Sequence, residues 1–239
     1  MTEARSLIVV SAHAADFVWR AGGAIALHTK KLGYRAVVVC MSGGERGESN
    51  EVWAANPDLG LDVVRERRKA EARDAAAVLG AEVRFLDLED YPLHPDRATL
   101  ELLVDLYRSA RPSFVLTHPP ADPANWDHVR ACQLALEARQ LASAAGRPGG
   151  RIHAGPQVYS FEPHQTELCG FRPDTRLDIS DVWDLKWQAM QCIQSQKRMW
   201  AYYKNVAEQR ANVAGRRSEK KITAAEAFQR LFPTTVKEL

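Results

Sequence analysis

The feature that most constrains this chain is an alternation running through its first half. Short runs of apolar, β-favouring residues at 6–11, 35–41, 83–86 and 113–117 are each followed by a longer stretch, at 18–31, 61–79, 98–110 and 127–144. The longer stretches carry apolar residues at three- and four-residue spacing, the period of a helix with one buried face. Strands separated by helices of this length are joined by crossovers, which lay them parallel with helices against the sheet. Gly33 and Gly80 stand just past two of the helical stretches, where a glycine C-cap is expected. The predicted class is therefore α/β, a Rossmann-like, mostly parallel sheet flanked by helices in a single domain spanning 1–239. A loop at 144–151 and a further strand at 157–161 stay within that domain, and the portion from about 181 is predicted to be helical.

Composition narrows the classes. The chain has 239 residues, 46% apolar and 26% charged, enough for one substantial core and close to the average for globular proteins. Disordered, coiled-coil and membrane classes are excluded on that basis. Lys and Arg total 32 against 30 Asp and Glu, a formal charge of +2 mixed along the chain, so no nucleic-acid partner is expected. The run Arg216-Arg217-Ser218-Glu219-Lys220-Lys221 mixes both signs without aromatic interleaving and reads as solvated surface. The tail after about Ala211 reads as a solvated helix or a subunit contact. Near the N-terminus the apolar run Leu7 to Val10 is too short for a secretory segment or a membrane span. A cytoplasmic protein with no membrane partner is expected. Four cysteines without C-x-x-C spacing suggest neither a disulfide framework nor a thiolate zinc site.

In open α/β sheets ligands bind beyond the carboxyl ends of the strands, so the residues just after each strand carry the chemical information. The first strand is followed by His13 and Asp16, the second by Glu45, Arg46 and Glu48, and the fourth by His118 and then Asp127-His128 at the start of a helix. Two imidazoles and a carboxylate from different strand ends suit a catalytic zinc site with an open position. His13, Asp16 and His128 are the economical set. The same residue types also cap helices and hold loops.

The ordered set Ala12-His13-x-x-Asp16, Ala21-Gly22-Gly23, Gly44-Glu45-Arg46-Gly47-Glu48, Arg68-x-x-Glu71 with Leu79-Gly80, and Asp127-His128 resembles the LmbE/PIG-L family of zinc-dependent deacetylases. Asp178-Ile179-Ser180, Lys186 and Ser195-Gln196 are similar to the family's C-terminal pattern, so the resemblance runs from about Leu7 to about Gln196. It implies one Zn2+ per chain on His13, Asp16 and His128, and a homo-oligomer. The chain departs from the family motif His-Pro-Asp-Asp at Ala14 and Ala15. The family's general base for amide hydrolysis stands at the position of Ala15, and a methyl group takes no proton. A positioned base contributes about 10²- to 10⁴-fold, so amide cleavage by that route is lost.

The stretch from His13 to Ala26, the loop Gly44 to Ser49, Asp122-Pro123-x-Asn125-x-Asp127-His128 and Phe161-Glu162-Pro163-His164-Gln165 resemble a branch of the family that lacks this base. That branch comprises the 4-oxalomesaconate or 4-carboxy-2-hydroxymuconate hydratases of gallate and protocatechuate breakdown. The resemblance implies metal-assisted addition of water to a carbon–carbon double bond of a small polycarboxylate. Glu48, or less favourably Glu45, would deprotonate the water, and His164 would manage the proton at carbon. Arg46, Arg20 and Arg68 are the candidates for the substrate carboxylates, with Arg172 a weaker one. His118 reads as a partner orienting a metal ligand or as a strand-end cap, and Asp127 as a lesser site candidate. Trp19, Trp53 and Trp126 flank the site as wall or lid, whereas His28, His94 and His153 read as structural or exposed. Two other functions fit the same residues: a zinc-dependent deacetylase of a sugar or small amide with Glu48 as base, and a non-catalytic metal- or ligand-binding protein.

Overall fold

The computed structural model describes residues 5–216 and 218–235. The expected strands form as β1 (Ser6–Ser11), β2 (Arg35–Cys40), β3 (Glu82–Phe85), β4 (Phe114–Thr117) and β5 (Gln157–Phe161). The crossover helices are α1 (Asp16–Ala26), α3 (Leu61–Leu79), α4 (Arg97–Ala110) and α5 (Trp126–Ala142), with a short α2 (Asn50–Ala55) in the loop after β2. The stretch 18–31 does not run as one α-helix, because Leu27–Lys31 widens into a π-helical turn. Gly80 closes α3 at φ +73°, a left-handed cap that glycine adopts without a Cβ clash.

The sheet is seven-stranded among the described residues, in the order β3-β2-β1-β4-β5-β7-β6, where β6 is Thr175–Asp178 and β7 is Ala225–Arg230. β1 pairs in parallel with both β2 and β4, at Ile8 opposite Val37 and opposite Val115. From β1 the chain winds outward through β2 and β3, then returns to the other flank at β4. The crevice beyond the ends of β1 and β4 is thus the topological switch point of an open sheet.

Central parallel strands are covered on both faces and read as continuous apolar runs, whose alternate residues feed two cores. Leu7 and Val9 pack with Phe17, Ile25, Leu79 and Met190 on one side. Ile8 and Val10 pack with Val37, Leu103, Tyr107 and Leu134 on the other.

The C-terminal portion differs from the helical reading. It is helical in α6 (Trp183–Cys192) and α7 (Met199–Gly215), but the chain then returns as β7, antiparallel to both β5 and β6. β7 is locked to α1 by Glu226, whose carboxylate accepts from the Gly23 and Ala24 N–H groups, both at 2.8 Å, and from Lys186 Nζ at 2.6 Å. A Cβ on Gly23 would lie 2.5 Å from Ile179 Cδ1, so only glycine permits this approach. The described residues of the basic run, Arg216 and Ser218 to Lys221, are exposed. No helix among the described residues is long and apolar enough to cross a membrane.

Candidate active site

Strand ends build the site. β1 delivers His13, and the chain turns there because the His13 N–H donates to Asp16 Oδ2 at 2.9 Å as α1 begins. β4 leads to His118 and, through a loop, to α5, where the Asn125 side chain caps the helix by accepting from Asp127 N and His128 lies in the first turn. Glu48 comes from the loop after β2.

The imidazoles of His13 and His128 are each oriented by a carboxylate. His13 Nε2 lies 3.2 Å from Asp127 Oδ2, and Asp127 also accepts from the N–H groups of Tyr91 and Leu93. Burial disfavours charge on Asp127, but His13 and these two N–H groups outweigh it and lower its pKa to about 2. His128 Nδ1 lies 2.8 Å from Asp122 Oδ2. A carboxylate accepts, so each ring carries a proton on that side, and the opposite nitrogen is the one placed to meet a cation. These nitrogens, His13 Nδ1 and His128 Nε2, are buried without a hydrogen-bond partner. They lie 3.3 Å and 3.6 Å from the two oxygens of Asp16. Imidazole nitrogens converging on a carboxylate, with a further carboxylate behind each ring, are an arrangement that could hold a metal ion.

Ligand atoms of two overlapping groups, His13 with Glu48 and His128, and Asp16 with His118 and His128, lie within 4.8 Å of one another. In the second group His118 is engaged otherwise, because its Nε2 accepts the Ala12 N–H at 3.0 Å. The ring is fully buried, stacked on His128 at 4.1 Å and edge-on to Phe161, so it buttresses His128. Burial opposes charge on His13, but Asp127, Asp16 and Glu48 outweigh it and raise its pKa to about 10. For His13 to hold a cation, its Nδ1 would have to give up that proton.

Glu48 stands over this set, with Oε1 4.0 Å from His13 Nδ1. It accepts from Tyr91 Oη at 2.9 Å, Asn125 Nδ2 at 3.1 Å and Gln196 Nε2 at 3.2 Å. Burial favours its protonated form, yet the His13 charge prevails and lowers its pKa, so it is an ionised acceptor. Glu45 is not at the site. It is fully buried, and one oxygen takes both Nε and Nη2 of Arg65.

His164 follows β5, its outer face exposed and its Nδ1 3.2 Å from Arg20 Nη2. A guanidinium only donates, so Nδ1 accepts and the imidazole proton sits on Nε2. Desolvation of its inner edge, together with the Arg20 charge, lowers His164 to about 4.

The candidate arginines separate. Arg20 is buried beside Asp16, with Nη2 3.8 Å from Oδ1. Arg68 is buried with every nitrogen engaged, Nε on Gly43 O and the two Nη atoms on Ser195 Oγ and Gln196 Oε1. It supports Gln196, and through it Glu48, with four of its five N–H donors engaged inside the protein. The Arg46 side chain pairs at the surface with Glu89, and Arg172 is exposed after β5. Trp19 is a buried wall stacked on Tyr203, Trp53 donates to Glu45 O, and Trp126 is 66% exposed. His28 and His153 contact the backbone oxygens of Ala24 and Pro112, and His94 is exposed before α4, all away from this cluster.

Four residues at the site escape the sequence reading. Asp122 and Asn125 lie within the segment that ends at His128, where their spacing was a usable signal. Gln196 belongs to the C-terminal pattern but has no partner legible in sequence. Tyr91 carries no signal, since it arrives from the loop after β3 and holds φ +49°, a left-handed conformation uncommon outside glycine.

This fold and metal-type cluster define the class. The family described as PIG-L: GlcNAc-PI de-N-acetylase matches residues 8–139, more than half of the chain, and the chain belongs to that family. Over 243 aligned residues it is 49% identical to the 4-oxalmesaconate hydratase of Pseudomonas putida KT2440, covering 100% of this chain and 93% of that protein. The crystal structure of the 4-carboxy-2-hydroxymuconate hydratase from Pseudomonas putida KT2440 matches with a TM-score of 0.95 at 50% identity, covering 98% of this chain and 99% of that one. The N,N'-diacetylchitobiose deacetylase of Pyrococcus horikoshii shares the fold at a TM-score of 0.78 and 20% identity, covering 96% and 84%.

Proposed function

We propose that this protein is a metal-dependent hydratase that adds water to a carbon–carbon double bond of 4-carboxy-2-hydroxymuconate or its oxo tautomer 4-oxalomesaconate, in the bacterial breakdown of gallate and protocatechuate. The observation that carries the reading is likeness over the whole chain, at about half identity, to hydratases named for these substrates. The site agrees with it. Ala14 and Ala15 present buried methyl groups beside Asp16, where no proton acceptor for amide cleavage stands, while Glu48 remains over the metal-type cluster.

His13, Asp16 and His128 would hold the metal, and the two imidazole nitrogens with a carboxylate suit zinc. When bound, such a cation supplies Lewis-acid polarisation of a substrate oxygen. Water adds to a conjugated double bond when its proton is removed as its oxygen attacks carbon and the neighbouring carbon is protonated. Glu48, ionised and aimed by Tyr91, Asn125 and Gln196, takes the proton of the attacking water. His164 would serve the carbon that does not receive the oxygen, entering the step as imidazolium, which a bound polyanion favours, giving its Nε2 proton to that carbon as the double-bond electrons close on it and ending as the neutral ring. The negative charge of the substrate also calls for a cationic partner. The reading places the enzyme in the cytoplasm and, by the family resemblance, in a homo-oligomer.

The test is an ultraviolet time course of the zinc-loaded protein with 4-carboxy-2-hydroxymuconate, with product identity established by mass. Loss of the conjugated absorbance with gain of one water is the expected result. No change with zinc in place overturns the reading and returns weight to an amidase or a non-catalytic protein, which release of acetate from N-acetylated sugars tells apart.

A further inference from the structure

We infer that Arg20 sets the specificity of this site by reading one carboxylate of the substrate beside the carbon that His164 serves. The hydratase reading supplies the substrate; the chemistry of Arg20 stands on the structure. Arg20 lies one turn after Asp16 on α1 and is 4% exposed. Its Nη2 is on His164 and the Tyr203 hydroxyl lies beside the guanidinium, while Nε and Nη1 are buried and complete no well-formed hydrogen bond. Orphaned donors on a buried cation are costly, and a fold retains them where a ligand completes them.

Nearby guanidiniums are engaged inside the protein. Arg68 engages all its nitrogens, and Arg210 grips both oxygens of Glu162. Asp16 compensates Arg20 only in part, because their closest approach is 3.8 Å whereas the Asp16 oxygens lie within 3.6 Å of His13, His118 and His128. A permanently charged planar fork with donors to spare fits a carboxylate, and the His164 contact fixes where that carboxylate sits. A cavity of about 20 Å³ against Trp19, Arg20 and Tyr203 has room for one water and not for a carboxylate. A guanidinium that merely holds His164 and that water is the rival account.

Arg20→Gln and Arg20→Lys, checked for folding by thermal melting, are assayed zinc-loaded with the substrate and with analogues in which each carboxylate in turn is a primary amide. Arg20→Gln should raise KM about 10- to 100-fold on the full substrate. On one amide analogue, the one already penalised in wild type, it should cause no further loss, and Arg20→Lys should recover part of the binding. Penalties that simply multiply on every analogue overturn the proposal. Calorimetric binding of propane-1,2,3-tricarboxylate needs no turnover: at least tenfold weaker binding by Arg20→Gln supports the assignment, and unchanged affinity leaves only the water-holding role and overturns it. If wild type binds the tricarboxylate through Arg20 but hydrates none of the compounds, the hydratase reading falls while the Arg20 assignment stands.

Discussion

Glu48 is held by three donors from three separate segments, and this determines what its replacement should show. Glu48→Gln keeps the shape but removes the proton acceptor, so kcat should fall about 10²- to 10⁴-fold while elemental analysis finds zinc content unchanged. Full activity in that variant would sink the assignment. Asp122 and Asp127 act through His128 and His13, so Asp122→Asn or Asp127→Asn should weaken metal affinity about 10- to 100-fold, read by competition with a chelating dye. His164 carries a pH effect. Its pKa is near 4 in the folded protein against an ordinary 6.5, so the unfolded chain takes up the proton first as pH falls. The stability tied to its neutral ring is fully present above about 6.5 and is lost as pH falls through that window to about 4. Melting temperature should therefore drop less steeply between these values in His164→Gln than in wild type, by a modest amount because the outer face of the ring is solvated.

Among the elements, β7 shows best why local pattern falls short. Its sequence Ala-Glu-Ala-Phe-Gln-Arg has neither the β-branched run nor the clean alternation of a strand, and β6 is a four-residue Thr-Arg-Leu-Asp. Both are strands because the edge of β5 is there to pair with, and because Glu226 satisfies two α1 backbone N–H groups and buried Lys186. Glu226→Ala should then cost about 3–5 kcal/mol in urea unfolding, since a buried ammonium is left unpaired. Adding Lys186→Met should restore much of the loss, and additive losses would show that the pair is not the tie. The crossover helices were legible because each repeats apolar residues at the helical period over three turns or more, and α3 also ends at a glycine cap.

At the scale of the whole molecule, the metal-type cluster joins three strand ends that are far apart in sequence. A ligand that binds only the folded state stabilises it by mass action, about 2.7 kcal/mol at a free concentration one hundred times Kd. Chelation should lower the melting temperature and end hydration together, and stoichiometric zinc should restore both; a melting temperature indifferent to chelator would argue against a folded-state metal site. By itself the sequence determined the alternation of apolar strands and amphipathic helices, hence the parallel sheet and the rim on which His13, Asp16, Glu48 and His128 gather. Those properties are written in local periodicity and in residues that directly follow a strand. Only the tertiary structure decided which charged groups were already engaged. Arg68 and Glu45 share the residue types of Arg20 and Glu48, yet Arg68 is engaged by Gly43, Ser195 and Gln196, and one Glu45 oxygen is engaged by Arg65. Whether a charged group is free to meet a substrate depends on contacts across the fold, and spacing along the chain does not encode them.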